Sequence, residues 1–235
     1  MISTKYRSDA PEIMDDFAME GEILRDALDK IATINQLLGG NKVTLQGVKQ
    51  LLKNVPKERN IHIIDVGCGN GDMLRAIAKW GTQHHRSFTL TGIDANAFTI
   101  AHAKTLSADY QNIDYKVADI FVDFENLNCD IALCTLTLHH FKDAEILKLM
   151  RGFVDRANVG VVINDLHRSK LAYNLFKMIC FLFNLNKMSA EDGLVSILRG
   201  FKREDLVAFS KQLNLNKFTI RWKWAFRYQW IISNI

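Results

Sequence analysis

Three features of the chain predict an α/β fold: a mostly parallel, doubly wound sheet behind an N-terminal helical cap. Residues Ile61 to Gly71 read Ile-His-Ile-Ile-Asp-Val-Gly-Cys-Gly-Asn-Gly, a β-branched strand running into three glycines spaced two apart. From Asn60 onward strand-like and helix-like segments alternate, as parallel strands joined by helical crossovers do. Before Pro56 only helical periodicity occurs. The 235 residues fit one such domain with additions, and a hydrophobic content of 48% supplies a sizeable core.

Residues 1–56 are expected to form the cap. Ser8 or Asp9 can cap a first helix with Pro11 near its start. Leu24, Leu28, Ile31 and Leu38 form an apolar stripe ended by Gly39-Gly40, and Thr44 can cap a third helix through Lys53. The sheet domain, 57–235, offers strands Ile61–Val66, Phe88–Ile93, Ile113–Val117, Cys129–Thr135 and Val159–Asn164. Between them lie helices Asp72–Trp80, Ala97–Leu106 and Asp143–Val154. An insertion at about 166–200 follows, then a helix Lys202–Leu213 and a hairpin of Phe218–Trp224 and Tyr228–Ile232.

Net charge is +4 and the pI is near 8.8, which permits anionic partners without demanding nucleic acid. Cys68, Cys129, Cys134 and Cys180 make no C-x-x-C pair and read as reduced thiols of a cytoplasmic protein. Met1 to Glu20 is polar and acidic, unlike a signal peptide, and the greasy stretch Leu171 to Leu185 is too short to span a bilayer.

The glycine loop separates ligand classes. A dinucleotide fingerprint needs its third glycine at position 72, where the chain has Asp72, and no Gly-Lys-Ser/Thr of a P-loop follows. A carboxylate at the helix mouth suits a pyrophosphate poorly. Asp65-x-Gly67-x-Gly69-x-Gly71 instead resembles motif I of the class I methyltransferases that use S-adenosylmethionine and release S-adenosylhomocysteine. The order of elements over about residues 60–235 is similar to the seven-stranded, Rossmann-like sheet of that family, whose last strand runs antiparallel.

The resemblance implies a set of cofactor contacts. Asp65, Gly67, Cys68, Gly69 and Gly71 form the loop. Asp94, at the tip of the second strand with Ala95 behind it, lies where an acid accepts from both ribose hydroxyls; its alternative role is a helix N-cap, which Asn96 can also fill. Asp119 matches the position that receives the adenine amino group, with Ile120 and Phe121 flanking the base, or is an ordinary turn aspartate. Thr135 and Leu136 offer carbonyls to the cofactor's ammonium group.

Methyl transfer from a sulfonium mainly requires alignment and exclusion of water, and a phenolic acceptor, with pKa near about 10, gains from a base. Candidate bases are His139 and His140 after the fourth strand and Asp165 and His167 after the fifth, with Arg168 as an anchor for an anionic substrate group. A His pair at this place in the family is often structural. No His-x-His or His-x-x-x-His spacing supports a metal, and none is expected. The insertion reads either as a helix buried on the cap or as a greasy lid, with Phe176, Met178 and Met188 lining a pocket for a hydrophobic acceptor.

The expected activity is therefore small-molecule methylation, O-methylation of a phenolic or polyketide-like compound of secondary metabolism, with C-methylation of a quinol-type ring as the related alternative. A nucleic-acid enzyme is disfavoured, because Thr-Leu-Thr-Leu-His-His replaces the Asn/Asp-Pro-Pro-Tyr/Phe of base-amine methyltransferases. A non-catalytic scaffold is disfavoured by the intact loop and acids. Lys170, Lys177 and Lys187 around the greasy insertion leave a weak membrane contact as a minor reading.

Overall fold

The computed structural model describes residues 2–122 and 128–235. Its elements are α1 (Glu22–Leu37), α2 (Gly40–Leu51), β1 (Ile61–Val66), α3 (Asp72–Gln83), β2 (Phe88–Asp94), α4 (Ala97–Leu106), β3 (Ile113–Val117) and β4 (Cys129–Thr135). These are followed by α5 (Asp143–Arg156), β5 (Ala157–Leu166), α6 (Lys170–Leu182), α7 (Lys187–Arg199), α8 (Arg203–Gln212), β6 (Phe218–Lys223) and β7 (Arg227–Ser233). The seven strands form one sheet in the order β3-β2-β1-β4-β5-β7-β6. All neighbouring pairs from β3 to β5 are parallel, and β7 is antiparallel to both β5 and β6.

The strands alternate between two cores, as a period of two requires. Ile61, Ile63, Leu90 and Ile131 join Val48, Leu74, Ile77 and Ile100 from α2, α3 and α4. Ile64, Val66, Ile93 and Ala132 join Ile146, Leu149, Leu206 and Phe209 from α5 and α8. Chain order reverses between β1 and β4, so their carboxyl ends diverge into a crevice, the usual ligand position in open α/β sheets.

The N-terminal region departs from its expected helices. Among the described residues before α1 the helical element is a 3-10 turn, Ile13–Asp15. The amides of Ile13 and Met14 donate to the Asp192 carboxylate on α7 at 2.7 and 2.9 Å, which pins this segment in an irregular course. The second expected helix is α1. The third starts at Gly40, not Thr44: Gly39 takes a left-handed φ of 78° as its N-cap, and the Thr44 hydroxyl lies 3.0 Å from Thr135 Oγ1. A Cβ at Gly40 would fall 1.8 Å from Asn35 Oδ1, and one at Gly47 would fall 2.5 Å from Val162, so α2 sits directly on β5. Only α1 and the segment before it reach over the strand tips, opposite α6 and α7. No helix among the described residues is long and apolar enough to cross a membrane.

Candidate active site

A cavity of about 880 Å³ opens over the tips of β1, β2, β4 and β5, between α1 on one side and α6 and α7 on the other. It lies toward the upper end of the roughly 300–1,000 Å³ typical of small-molecule sites. The apolar stripe of α1 (Leu24, Leu28, Ile31) and Leu38 faces it, as do Leu175, Phe176, Met178 and Ile179 of α6. The greasy insertion thus covers the cavity with one face, while Phe181 and Leu182 stand 86% and 72% exposed at its outer end. Met188 is buried outside the lining.

The three loop glycines do different work. All have left-handed backbone, with φ of 68°, 53° and 80° at Gly67, Gly69 and Gly71. At Gly67 a Cβ would meet Thr137 at 2.3 Å, and at Gly71 it would meet the Tyr115 hydroxyl at 2.0 Å. Gly71, which does not line the cavity, makes room for Tyr115. At Gly69 the nearest side-chain atom is Leu28 Cδ2, 4.0 Å away, so this bare backbone faces open space. The amides of Gly67 and Cys68 donate to Ile93 O at 2.8 and 3.1 Å, tying the loop to β2.

Asp94 sits at the tip of β2 and lines the cavity. Its carboxylate accepts from Asn96 N at 3.0 Å and from Gly69 N at 3.3 Å. Burial raises its pKa, partly offset by these donors. Asn96, not Asp94, caps α4, its side chain accepting from Thr99 N. Asp119 lies after β3 and accepts from Phe121 N at 2.8 Å; Ala95, Asp119, Ile120 and Phe121 all line the cavity. Thr135 and Leu136 end β4 against the same space.

Asp65 and Arg227 are the buried ionisable groups beside the glycine loop and β7 that are incomplete among the described residues. Asp65 is 2% exposed, and its Oδ1 has no hydrogen-bond partner among the described residues. Burial, then the Asp72 and Asp94 charges, hold its pKa well above the carboxylate range. Arg227 is 3% exposed, and its Nε and Nη1 likewise have no hydrogen-bond partner among the described residues. Burial pulls its pKa down to about 10, against the attraction of Asp165 and Asp72. Sequence reading missed Arg227. Its signal is positional: it opens β7 opposite Leu166, the last residue of β5, and so lies at the rim.

A second wall joins parts of the chain distant in sequence. His139 Nδ1 lies 2.7 Å from Asp165 Oδ1, and His140 Nδ1 lies 2.7 Å from Asp15 Oδ1. Burial acts to raise the Asp165 carboxyl, but His139 and the N–H donors outweigh it and hold its pKa below the usual range. An ionised carboxylate only accepts, so in a neutral His139 ring the proton sits on Nδ1 and the lone pair on Nε2. Glu12, also missed from sequence, is 6% exposed beside both rings, and burial raises its pKa to about 6 against His140, Ser196 and Arg199.

His167 lines the cavity but accepts at Nδ1 from Trp222 Nε1 at 3.2 Å. A neutral ring then carries its proton on Nε2 and is a donor there, not a base. Burial, then Lys202 and Arg168, lower its pKa. Arg168 is not a cavity residue, which corrects its expected role as a substrate anchor. Its guanidinium is 2% exposed, donates to Thr4 O at 3.1 Å and pairs with Asp205 at 3.0 Å, strapping the N-terminal segment to α8.

Residues 63–160 match the family model of the methyltransferase domain. The ubiquinone biosynthesis O-methyltransferase of Coxiella burnetii is 32% identical over 107 residues, 45% of this chain and 42% of that protein. The match thus spans less than half the length of the curated relative. Among solved structures, the plantazolicin methyltransferase BamL, in complex with a triazolic desmethylPZN analog and SAH, superposes with a TM-score of 0.66 at 14% identity, covering 88% of this chain and 90% of that one. An O-methyltransferase family 2 protein from Planctomyces limnophilus, in complex with apigenin, also gives 0.66 at 14% identity, covering 97% and 63%. At these identities the structures speak to the fold alone, and it is the same fold. Residues 63–160, which hold the central strands, thus match a methyltransferase domain, and the sheet around them has the fold of solved methyltransferases.

Proposed function

We propose that this chain transfers the methyl group of S-adenosylmethionine to an oxygen of a hydrophobic, phenol-like small molecule. The observation that carries the cofactor assignment is the pair of incomplete groups. A buried carboxyl at Asp65 and a buried guanidinium at Arg227 line one cavity, and the ammonium and carboxylate of the cofactor's amino-acid end complement them. Leaving either unpartnered is costly, since a buried unsatisfied polar group loses about 1–3 kcal/mol and a charged one more. Bare backbone at Gly69 admits close approach. Asp94 takes the ribose hydroxyls, and Asp119 with Ile120 the adenine.

When bound, the cofactor supplies an electrophilic methyl on a sulfonium. The chain's part is to align the acceptor and to exclude water. Leu175, Phe176, Met178 and Ile179 bring an apolar wall, which suits an aromatic acceptor. The acceptor's proton leaves to His139 Nε2, whose tautomer Asp165 fixes. A cavity closed by α1, α6 and α7 fits a small molecule better than a polynucleotide.

Incubation with S-adenosylmethionine and a panel of phenols and quinols, read by mass spectrometry of the products, tests the assignment. Methyl ethers are expected. Ring-methylated quinols would move the chemistry to carbon, and S-adenosylhomocysteine binding with no methylated product across the panel would remove the acceptor class.

A further inference from the structure

Glu12, His139 and His140 form a compact donor set on the cavity wall. One ligand atom from each lies within 4.8 Å of the others. His139 Nε2 is 3.8 Å from Glu12 Oε1, and His140 Nε2 is 3.9 Å from Glu12 Oε2. Both separations are too long for hydrogen bonds. His139 Nε2 and Glu12 Oε1 are buried and have no hydrogen-bond partner among the described residues. Two imidazole nitrogens and a carboxylate oxygen therefore converge on one point without bonding each other.

Each ring is also backed by a second carboxylate. Asp165 holds His139 Nδ1 and Asp15 holds His140 Nδ1, both at 2.7 Å. Carboxylates behind imidazoles fix the proton on Nδ1 and raise the basicity of Nε2, as they do in metal sites. Charge points the same way. Arg199 is bonded to Asp15 Oδ2 at 2.7 Å and lies 3.6 Å from Glu12 Oε1. It offsets one of these two carboxylates, so with neutral rings the pair keeps one negative charge.

We propose that Glu12, His139 and His140 bind a divalent cation, a borderline transition metal of the zinc type given two nitrogen ligands and one oxygen. Three protein ligands leave a coordination position open, and all three residues line the cavity. An acceptor oxygen can take that position; this use rests on the function proposed above, whereas cation binding does not. With the cation bound the His139 lone pair is a ligand, and the acceptor proton, made more acidic by the cation, leaves to water; the ring acts as base in the metal-free chain.

The untagged full chain, stripped with a chelator and dialysed, is titrated with Co²⁺ alone and followed by visible absorption. One saturable equivalent is expected, with Glu12→Gln and His140→Ala each weakening it by more than about 100-fold and Asp15→Asn by about 10- to 100-fold. Thermal melts confirm that the variants are folded. No Co²⁺ uptake by the wild-type chain, or equal uptake by the folded Glu12→Gln/His140→Ala double variant, overturns the site. S-adenosylhomocysteine affinity is measured separately without metal, so a failure of the methyltransferase reading shows there and not in the titration.

Discussion

Replacing Arg227 with methionine separates a ligand-binding role from a structural one, because the two predict opposite signs. The guanidinium is 3% exposed with two unpartnered nitrogens. A buried charge with two nitrogens unpartnered among the described residues burdens the unliganded fold, and exchanging buried ionic groups for apolar ones of similar volume can gain about 1–4 kcal/mol. Taking the low end of about 1 kcal/mol, the melting temperature of the free protein rises by about 2–4 °C for a chain of this size. Binding moves the other way. Hydrogen bonds to charged groups contribute about 1.5–3 kcal/mol, so losing the carboxylate contact weakens S-adenosylhomocysteine by about 10- to 150-fold. Methylthioadenosine, which lacks the amino-acid end, serves as the control, and its affinity holds. Calorimetric titration of both ligands and a thermal melt give all three numbers. A variant that melts lower while keeping the wild-type ratio of the two affinities refutes the assignment.

The loop glycines give a paired test: Gly71→Ala drives a methyl into Tyr115 and its 2.8 Å bond to Ser107, lowering stability by about 1–3 kcal/mol. Gly69→Ala meets only open space, so beyond a left-handed strain of about 1–2 kcal/mol its effect falls on cofactor affinity; melts and titrations compare the two. Asp94→Asn weakens S-adenosylhomocysteine by about 1–3 kcal/mol in the same titration. His139→Ala lowers single-turnover rate by about 10²- to 10⁴-fold with little change in cofactor affinity, whereas His167→Ala, whose Nδ1 already serves Trp222, stays within about tenfold of wild type. Equal losses in the two variants would remove the distinction drawn from their tautomers.

The sheet was legible because its signals are local. Ile61–Val66 reads as a strand in the chain and is one in the fold, and the same holds for Ile113–Val117 and Cys129–Thr135. Periodicity of two and turn residues at the strand ends carry this information within a few residues. The N-terminal turn was not legible, because its course is set by Asp192, far away in sequence. Thr44 looked like a cap because it is a good one; tertiary packing instead turned its hydroxyl toward Thr135. Arg168 and Arg227 show the same limit from two sides. Either could be read as a rim cation, and only the fold shows that Arg168 is spent on Thr4, Gly200 and Asp205 while Arg227 reaches the cavity. Glu12 sat in a polar, acidic segment expected to open a helix near Pro11, and its burial against His139 and His140 depends on α7.

A crystal structure with S-adenosylhomocysteine tests the central claim most directly. Adenine is expected beside Asp119 and Ile120, ribose hydroxyls on Asp94, and the amino-acid end between Asp65 and Arg227, with its carboxylate bonded to the guanidinium. A ligand seated elsewhere, or one that leaves Arg227 without a partner, would contradict it.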